Sequence, residues 1–365
     1  MWFKRDRVSF DEAFHAGAQM ATERAASLGL SDADAERFVN EVRDKALDAH
    51  AQVVVAALRK NMPSMLRRKR RQYRRFRRWL RRHWGPALDI FYSIAVSAEE
   101  IGRKLVNDDA EGTQGAGDPV FSAIAGLHAR ACRTSLEVHR LLSGGFSMGA
   151  LARCRTLHEL AVVSTILVDH ARIPDYDNLA EKYLRHDSIL AYKDLLAYQT
   201  VASNNGDDDQ FSDEEIASMK EERDRLVGQY GQSYLRDNGW AASLFNDRAP
   251  TFSDLEKLAE LDHLRVHYKW ASHEVHADAS GWRLNQIDDG DYTFMSTGYT
   301  HDGISGPGTM ALSSLLTTTL SLIFCRENIY PLDVLSAQTI AGLVGEAESA
   351  FDRGAKSIDK LRKEN

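Results

Sequence analysis

Turn-forming residues are scarce in this sequence: 24 glycines and 7 prolines are spread over 365 residues, well under the ~12% combined share of an ordinary protein. So few breakers exclude a turn-rich β-sandwich or barrel and favour long helices. Cysteine is scarcer still. Cys132, Cys154 and Cys325 are three in number and show no Cys-x-x-Cys or zinc-ribbon spacing, which points to a reduced, cytoplasmic protein without a disulfide framework. Behind Met1-Trp2-Phe3-Lys4-Arg5-Asp6-Arg7 no apolar h-region follows, so a secretory leader is not expected. Long apolar runs are lacking too. The segment from Met310 to Cys325 is broken by Ser313, Ser314, Thr317, Thr318, Thr319 and Ser321 and is shorter than the ~20 residues of a membrane span, so a buried helix is expected there.

Several chemical signatures are also absent. There is no Walker A loop, no Gly-x-Gly-x-x-Gly after a strand and no Gly-x-Ser-x-Gly elbow, and Gly303-Ile-Ser-Gly-Pro-Gly308 reads as loop punctuation. Nucleotide-driven and α/β-hydrolase chemistry are disfavoured accordingly, and no cofactor is expected. What is present suffices for a folded protein: 43% hydrophobic and 27% charged residues exclude global disorder. Length allows one large domain or two ordinary ones, and no solenoid-period repeat occurs.

The expected fold is mainly α: a helical N-terminal region (1–106) with a basic helix at 66–84, a helical-bundle domain (119–352), and a C-terminal tail (353–365). Helices are expected from the Ser9-Phe10-Asp11-Glu12 capping pattern to Gly29, from Ser31 towards Pro63, and through the arginine-rich stretch to Gly85-Pro86. A polar linker at 107–118 marks the domain boundary. Beyond it, helices are expected at 120–142, 148–170 and 176–199, then an acidic loop at 202–210. Two more should open at the Ser212 and Ser253 caps, the latter running to about His276, with a final pair at 307–327 and 332–352. Residues 282–296, with Asp-Asp-Gly-Asp between two short apolar runs, read as one short β-hairpin.

Charge distribution is the strongest signal. Eleven of the sixteen residues from Arg67 to Arg82 are basic: Arg67, Arg68, Lys69, Arg70, Arg71, Arg74, Arg75, Arg77, Arg78, Arg81 and Arg82. The remaining 35 basic residues face all 53 acidic ones, a balance of −18, so a basic helix is joined to an acidic body. Leu66, Tyr73, Phe76, Leu80 and Trp84 form a narrow apolar stripe on that helix. Like charges at i,i+4 repel, so an anionic partner is expected. Nucleic acid, RNA above all, suits the arginines, with Tyr73, Phe76 and Trp79 available to stack on bases. The acidic body of a second copy or of a partner protein also suits them, and a homo-oligomer is expected; a membrane surface is the lesser option.

A second signal is polar residues set in apolar helices. Arg155, His158, Glu159 and Val162 share one helical face, and Arg155 and Glu159 can pair at i,i+4. Downstream, Arg265-Val-His267-Tyr268-Lys-Trp270-Ala-Ser272-His273-Glu-Val-His276-Ala-Asp278 places His273 and His276 at i,i+3. One reading is a structural ion pair inside a bundle. Another is catalysis, His as general acid/base and Arg as stabiliser of phosphate charge. A metal reading would take two ligands from His273-x-x-His276 and a third from His158 or Glu159; no metal site is expected. The Glu-x-x-His spacing of di-iron bundles occurs as Glu12-Ala-Phe-His15 and Glu260-Leu-Asp-His263, neither joined to these clusters.

The pattern His128-Ala-Arg130, Arg133, Ala150-Leu-Ala-Arg153-Cys154-Arg155-Thr-Leu-His158-Glu159, then Tyr268, Ser272 and Val275-His276-Ala resembles a bacterial all-helical family of domains of unknown function, some of whose members sit beside phage-defence genes. The resemblance spans roughly 119–330. It implies a helical fold and no established activity. Arg133-Thr-Ser-Leu-Glu-Val-His139 also resembles the Arg-to-His signature of HEPN ribonucleases, helical RNA-cleaving dimers. That resemblance implies roles for Arg133 and His139 in RNA cleavage, with Arg155, Ser272 and His276 as an alternative placement. The functional expectation is a bacterial defence or toxin-like effector acting on nucleic acid, with metal-independent ribonuclease action as its enzyme reading. The alternative is a non-catalytic nucleic-acid-binding or assembly protein whose polar cluster is structural.

Overall fold

The computed structural model describes residues 3–110, 117–176, 178–205, 211–276, 279–284, 286–288, 293–295 and 297–364. Among these the protein is mainly α, with two compact units, Met1–Phe76 and Arg77–Asn365. The first unit holds α1 (Phe3–Ser27) and the start of α2 (Asp32–Ala110). Gly29, at φ +64°, supplies the left-handed residue that ends α1. Ser31 caps α2, its hydroxyl accepting from the Asp34 amide at 3.3 Å. Among the described side chains of α1, Ala21 and Ala25 are buried.

Helix α2 corrects two expectations. It passes unbroken through Pro63 and Gly85-Pro86, where separate helices were expected to end. Around Pro63 the flanks are strong helix formers, Ala56-Ala57-Leu58-Arg59-Lys60 before it and Met65-Leu66-Arg67-Arg68 after it. Around Gly85-Pro86 tertiary packing decides, because Leu80, Trp84, Ala87, Leu88, Phe91 and Ile94 are all buried on one continuous face. The contact boundary therefore falls at Phe76, within the basic stretch. It does not fall in the polar 107–118 segment, of which residues 111–116 lie outside the described residues.

The second unit is built on α3 (Pro119–Gly144), α4 (Ser147–His170), α11 (Ser305–Phe324) and α12 (Pro331–Glu364), which pack together. Asp118 caps α3 by accepting from the Val120 amide at 2.9 Å, and Gly145 at φ +81° closes it. Helix α11 lies at the centre. By length and composition it is apolar enough to cross a membrane, yet 61% of its apolar window is buried inside the bundle. Its core hydroxyls are satisfied within the helix: Thr318 donates to the Ser314 carbonyl at 2.8 Å and Thr319 to that of Leu315 at 2.7 Å. The expected tail 353–365 is helical as far as Glu364, because Ile358 is buried and Ser357 hydrogen-bonds His83 at 2.9 Å.

Between α4 and α11 the chain makes shorter elements: α5 (Leu179–Arg185), α6 (Asp187–Asn205), α7 (Asp213–Tyr230), α8 (Phe252–Leu258), α9 (Arg265–His273) and α10 (Gly281–Leu284). The single helix expected at 176–199 is divided at His186, whose ring hydrogen-bonds the Tyr234 and Arg236 carbonyls. Residues 202–205 of the expected acidic loop finish α6, and 206–210 lie outside the described residues. The helix expected to run from Ser253 to His276 is two. The first is capped two residues earlier, on a Thr251/Asp254 capping box, and stops at Leu258 before Glu260 turns left-handed at φ +56°. Residues Trp282 and Arg283 belong to the helical turn α10; strands β1 (Gln286–Asp288) and β2 (Thr293–Met295) pair antiparallel with Ile287 opposite Phe294, and 285, 289–292 and 296 lie outside the described residues.

Arg77–Ala110 belongs to the bundle through Trp84. Its ring lies 6.2 Å from that of Phe351, and a Cβ on Gly354 would meet it at 2.6 Å. Replacing Trp84 with Ala should destabilise the second unit by about 3–5 kcal/mol, and Gly354→Ala by about 1–3 kcal/mol through overpacking. Urea unfolding checks both; losses under about 1 kcal/mol for both variants would detach this half of α2 from the core.

Candidate functional site

Helix α2 carries no Asp or Glu from Ala49 to Leu88. Within that stretch all eleven basic residues from Arg67 to Arg82 are exposed. Arg81 pairs with Asp89 at 3.1 Å. Among the described residues the other ten have no ion pair and no side-chain hydrogen bond, so their charge faces solvent. The aromatic residues are already engaged: Tyr73 and Phe76 stack on each other at 6.3 Å, and Trp79 sits 4.5 Å from both His83 and His301. Leu80 and Trp84 of the expected stripe are core residues, while Leu66 is 39% exposed.

The polar cluster assembles where α4 meets α8 and α9. It has an inner and an outer part. In the inner part Glu256 of α8 is fully buried, and its carboxylate lies between His158 Nε2 at 2.9 Å and the Arg265 guanidinium of α9. A buried carboxylate requires such partners. Arg265 supplies the compensating charge, so His158 is needed only as a neutral N–H donor. Burial pushes the His158 imidazole below its ordinary value, against the opposing pull of Glu256. Phe252 and Tyr268 wall in the ring, with centroids 6.0 and 5.6 Å away. His158 is 3% exposed, sealed behind these rings.

In the outer part Arg155 Nε donates to Glu159 Oε1 at 3.0 Å, and the Tyr268 hydroxyl donates to the same oxygen at 2.9 Å. The Arg155 guanidinium also lies 5.2 Å over the Tyr268 ring. Burial, and secondarily the Glu159 carboxylate, pushes the Tyr268 hydroxyl up to about 12, so it remains a donor. Arg155 Nη1 reaches His276 Nε2 at 3.0 Å at the surface. Arginine only donates, so Nε2 accepts and the ring proton sits on Nδ1. Arg155 and Glu159 are 26% and 38% exposed, so the outer part is open to solvent.

The other expected residues lie elsewhere. His273 is the half-buried last residue of α9, and His276 follows in a turn whose amide donates to the Ser272 carbonyl at 3.1 Å. That i→i−4 bond encloses both histidines in one turn, although α9 itself ends at His273. Among the described residues no three His, Cys, Asp or Glu side chains are grouped to hold a metal. Glu260, in left-handed backbone, removes the helical Glu-x-x-His263 spacing, and Ala277 and Asp278 lie outside the described residues. Arg133 is exposed on α3, lining a cleft of about 390 Å³ with Glu99, Gly102, His128 and Cys132. His139 instead packs near Phe91 and Tyr92, at 5.8 and 5.2 Å, with Ser143 Oγ 3.3 Å from Nε2. Among the described residues no hydrogen bond joins Arg133 to His139. The partner that sequence reasoning missed is Glu256, read there as part of a Ser253 cap. The Thr251-x-x-Asp254 spacing, the true capping box, would have released it.

Residues 121–293 match the model of a family of unknown function (DUF5677). The match takes in the polar cluster and leaves the arginine-rich part of α2 outside. No curated protein and no solved structure matches the chain.

The inner and outer parts should respond differently to substitution. Glu256→Ala strands a buried imidazole donor and one guanidinium, and should cost about 3–5 kcal/mol. Arg155→Gln breaks a solvent-screened pair and should cost about 1 kcal/mol or less. Urea midpoints of the two variants check this; equal losses would contradict the division.

Proposed function

We propose that this protein binds nucleic acid through the Arg67–Arg82 stretch of α2, with RNA as the favoured partner, and acts as an effector of bacterial defence. The observation that carries the reading is the ten exposed basic groups without a partner among the described residues, on 40 residues of helix that hold no carboxylate. Like charges this dense repel one another along the helix, and a phosphate backbone relieves that repulsion while releasing counterions. With the neighbouring rings engaged by one another, recognition rests on phosphates and is independent of sequence.

A second reading, ribonuclease action, is favoured by the open Arg155–His276 contact at 3.0 Å. There Arg155 turns from His276 onto the phosphate and stabilises its developing charge, which frees His276 Nε2 to accept the 2′-hydroxyl proton and the imidazolium so formed to protonate the leaving oxygen. Glu159 and Tyr268 hold Arg155 in place. The scheme uses no metal.

Fluorescence anisotropy with a single-stranded RNA and a DNA duplex over a range of salt tests the binding. On single strands the log–log slope is about −0.7 per phosphate neutralised. Replacing Arg74, Arg75, Arg77 and Arg78 with Gln should therefore weaken binding to every sequence and reduce the slope by about 3. Cleavage of total RNA without divalent metal should be lost in Arg155→Gln and His276→Gln and kept in Arg133→Gln. Absence of binding in the unsubstituted protein, with the four-Gln variant losing its oligomeric state, would instead make the helix an assembly surface.

A further inference from the structure

Apart from the arginine-rich helix, a concave surface among the described residues runs against the acidic character of the body. It is an open cleft of about 1030 Å³ formed by α6, the 232–238 turn and the 248–252 segment. Lys193, Arg236 and Arg248 line it, with Asp237 as the one acidic residue among those lining it. Lys193 and Asp237 pair at 3.3 Å, but both are highly exposed, at 70% and 82%, so water and salt screen that pair almost fully. Arg248 leans on Asp254 at 3.2 Å. Arg236 is exposed and makes no side-chain hydrogen bond or ion pair among the described residues.

The wall that carries Arg236 is rigid. Buried His186 holds the Tyr234 and Arg236 carbonyls at 3.0 and 2.9 Å, and the Tyr234 hydroxyl donates to the Lys182 carbonyl at 2.6 Å. Asn238 Nδ2 donates to the Pro250 carbonyl at 3.1 Å, tying the two sides together. Gly239 is required here, since a Cβ would lie 2.4 Å from the Ser233 carbonyl oxygen. The loop that presents Arg248 holds two successive non-glycine residues in left-handed backbone, Asn246 at φ +52° and Asp247 at φ +58°. Each costs on the order of 1 kcal/mol and persists where surrounding structure or a ligand requires it. Three cations on a fixed, concave frame, in a volume typical of small-molecule sites, make a phosphate site of the multidentate arginine kind.

We propose that this cleft binds a free nucleotide, its phosphates held by Lys193, Arg236 and Arg248 and its base lying towards Phe252. Half-buried Phe252 lines the cleft and also packs on Tyr268, with centroids 5.0 Å apart. A bound nucleotide thus rests on the ring that walls in the polar cluster. No phosphate-cradling glycine loop is involved, which is why the sequence shows no motif for it.

Isothermal titration calorimetry with ADP and with inorganic pyrophosphate tests the site. Both should bind the unsubstituted protein, ADP the more tightly because the base adds contact. Arg236→Gln removes a side chain with no structural partner and should weaken both by at least fivefold, and Arg236→Gln/Arg248→Gln by at least fiftyfold, with unchanged thermal melting. The four-Gln variant of α2 should bind ADP as the unsubstituted protein does, so this test stands whether or not α2 binds RNA. No heat with either probe, Arg236→Gln binding as the unsubstituted protein, or loss of ADP binding in the four-Gln variant would each overturn the assignment.

Discussion

A fully buried carboxylate, Glu256, fixes the packing of the polar cluster in this fold. An ionised carboxylate leaves water only where charge and hydrogen bonds compensate it. Arg265 and His158 supply these from two different helices, so α8 and α9 are fixed onto α4 together. With α9 so placed, Tyr268 reaches Glu159; Glu159 and the Tyr268 ring hold Arg155; and Arg155 meets His276. The surface contact that carries the ribonuclease reading is thus the far end of a chain of interactions that begins in the core. Such a chain explains how one cluster can be structural at its inner end and chemically available at its outer end.

The two cationic surfaces obey a different constraint. Each keeps basic side chains with no ion pair among the described residues, ten from Arg67 to Arg82 and Arg236 at the cleft, beside others that are paired. On α2 the frame for the residues from Arg77 onward is the buried face of Leu80, Trp84, Leu88 and Phe91. At the cleft it is the network of His186, Tyr234 and Asn238. Exposed positive charge in excess of its local partners, in an otherwise acidic protein, is the feature from which both binding readings descend.

Much of this was legible in the sequence because it depends on local pattern. Breaker scarcity gave the mainly α fold, Gly29 and Gly145 ended their helices, and Ser212 opened α7 with Glu215 as its capping partner. The Arg155–Glu159 pair followed from i,i+4 spacing. What local pattern did not reveal came from tertiary packing. Pro86 reads as a helix stop until Trp84 is seen against Phe351, and residues after 352 read as a tail until Ser357 is seen on His83. The His158–Glu256 pair joins residues 98 apart in sequence, and no spacing rule reaches that far. The cationic cleft was invisible for the same reason, since Lys193, Arg236 and Arg248 come from three separate segments.

The inner pair is the most direct point of test. Glu256 is neutralised by Arg265, so a second positive charge on His158 would be left buried and uncompensated; the imidazole should stay neutral. A group whose pKa is lowered on folding stabilises the protein above its unfolded value, near 6.5, and loses that contribution as the pH falls through the folded value. Carbon-13 chemical shifts of the His158 ring, assigned with a His158→Gln variant, read this titration. The account predicts a neutral ring at pH 6.5 that becomes charged only at lower pH, together with a fall in stability. A ring that titrates at or above pH 6.5, as an imidazolium paired to Glu256, would contradict it.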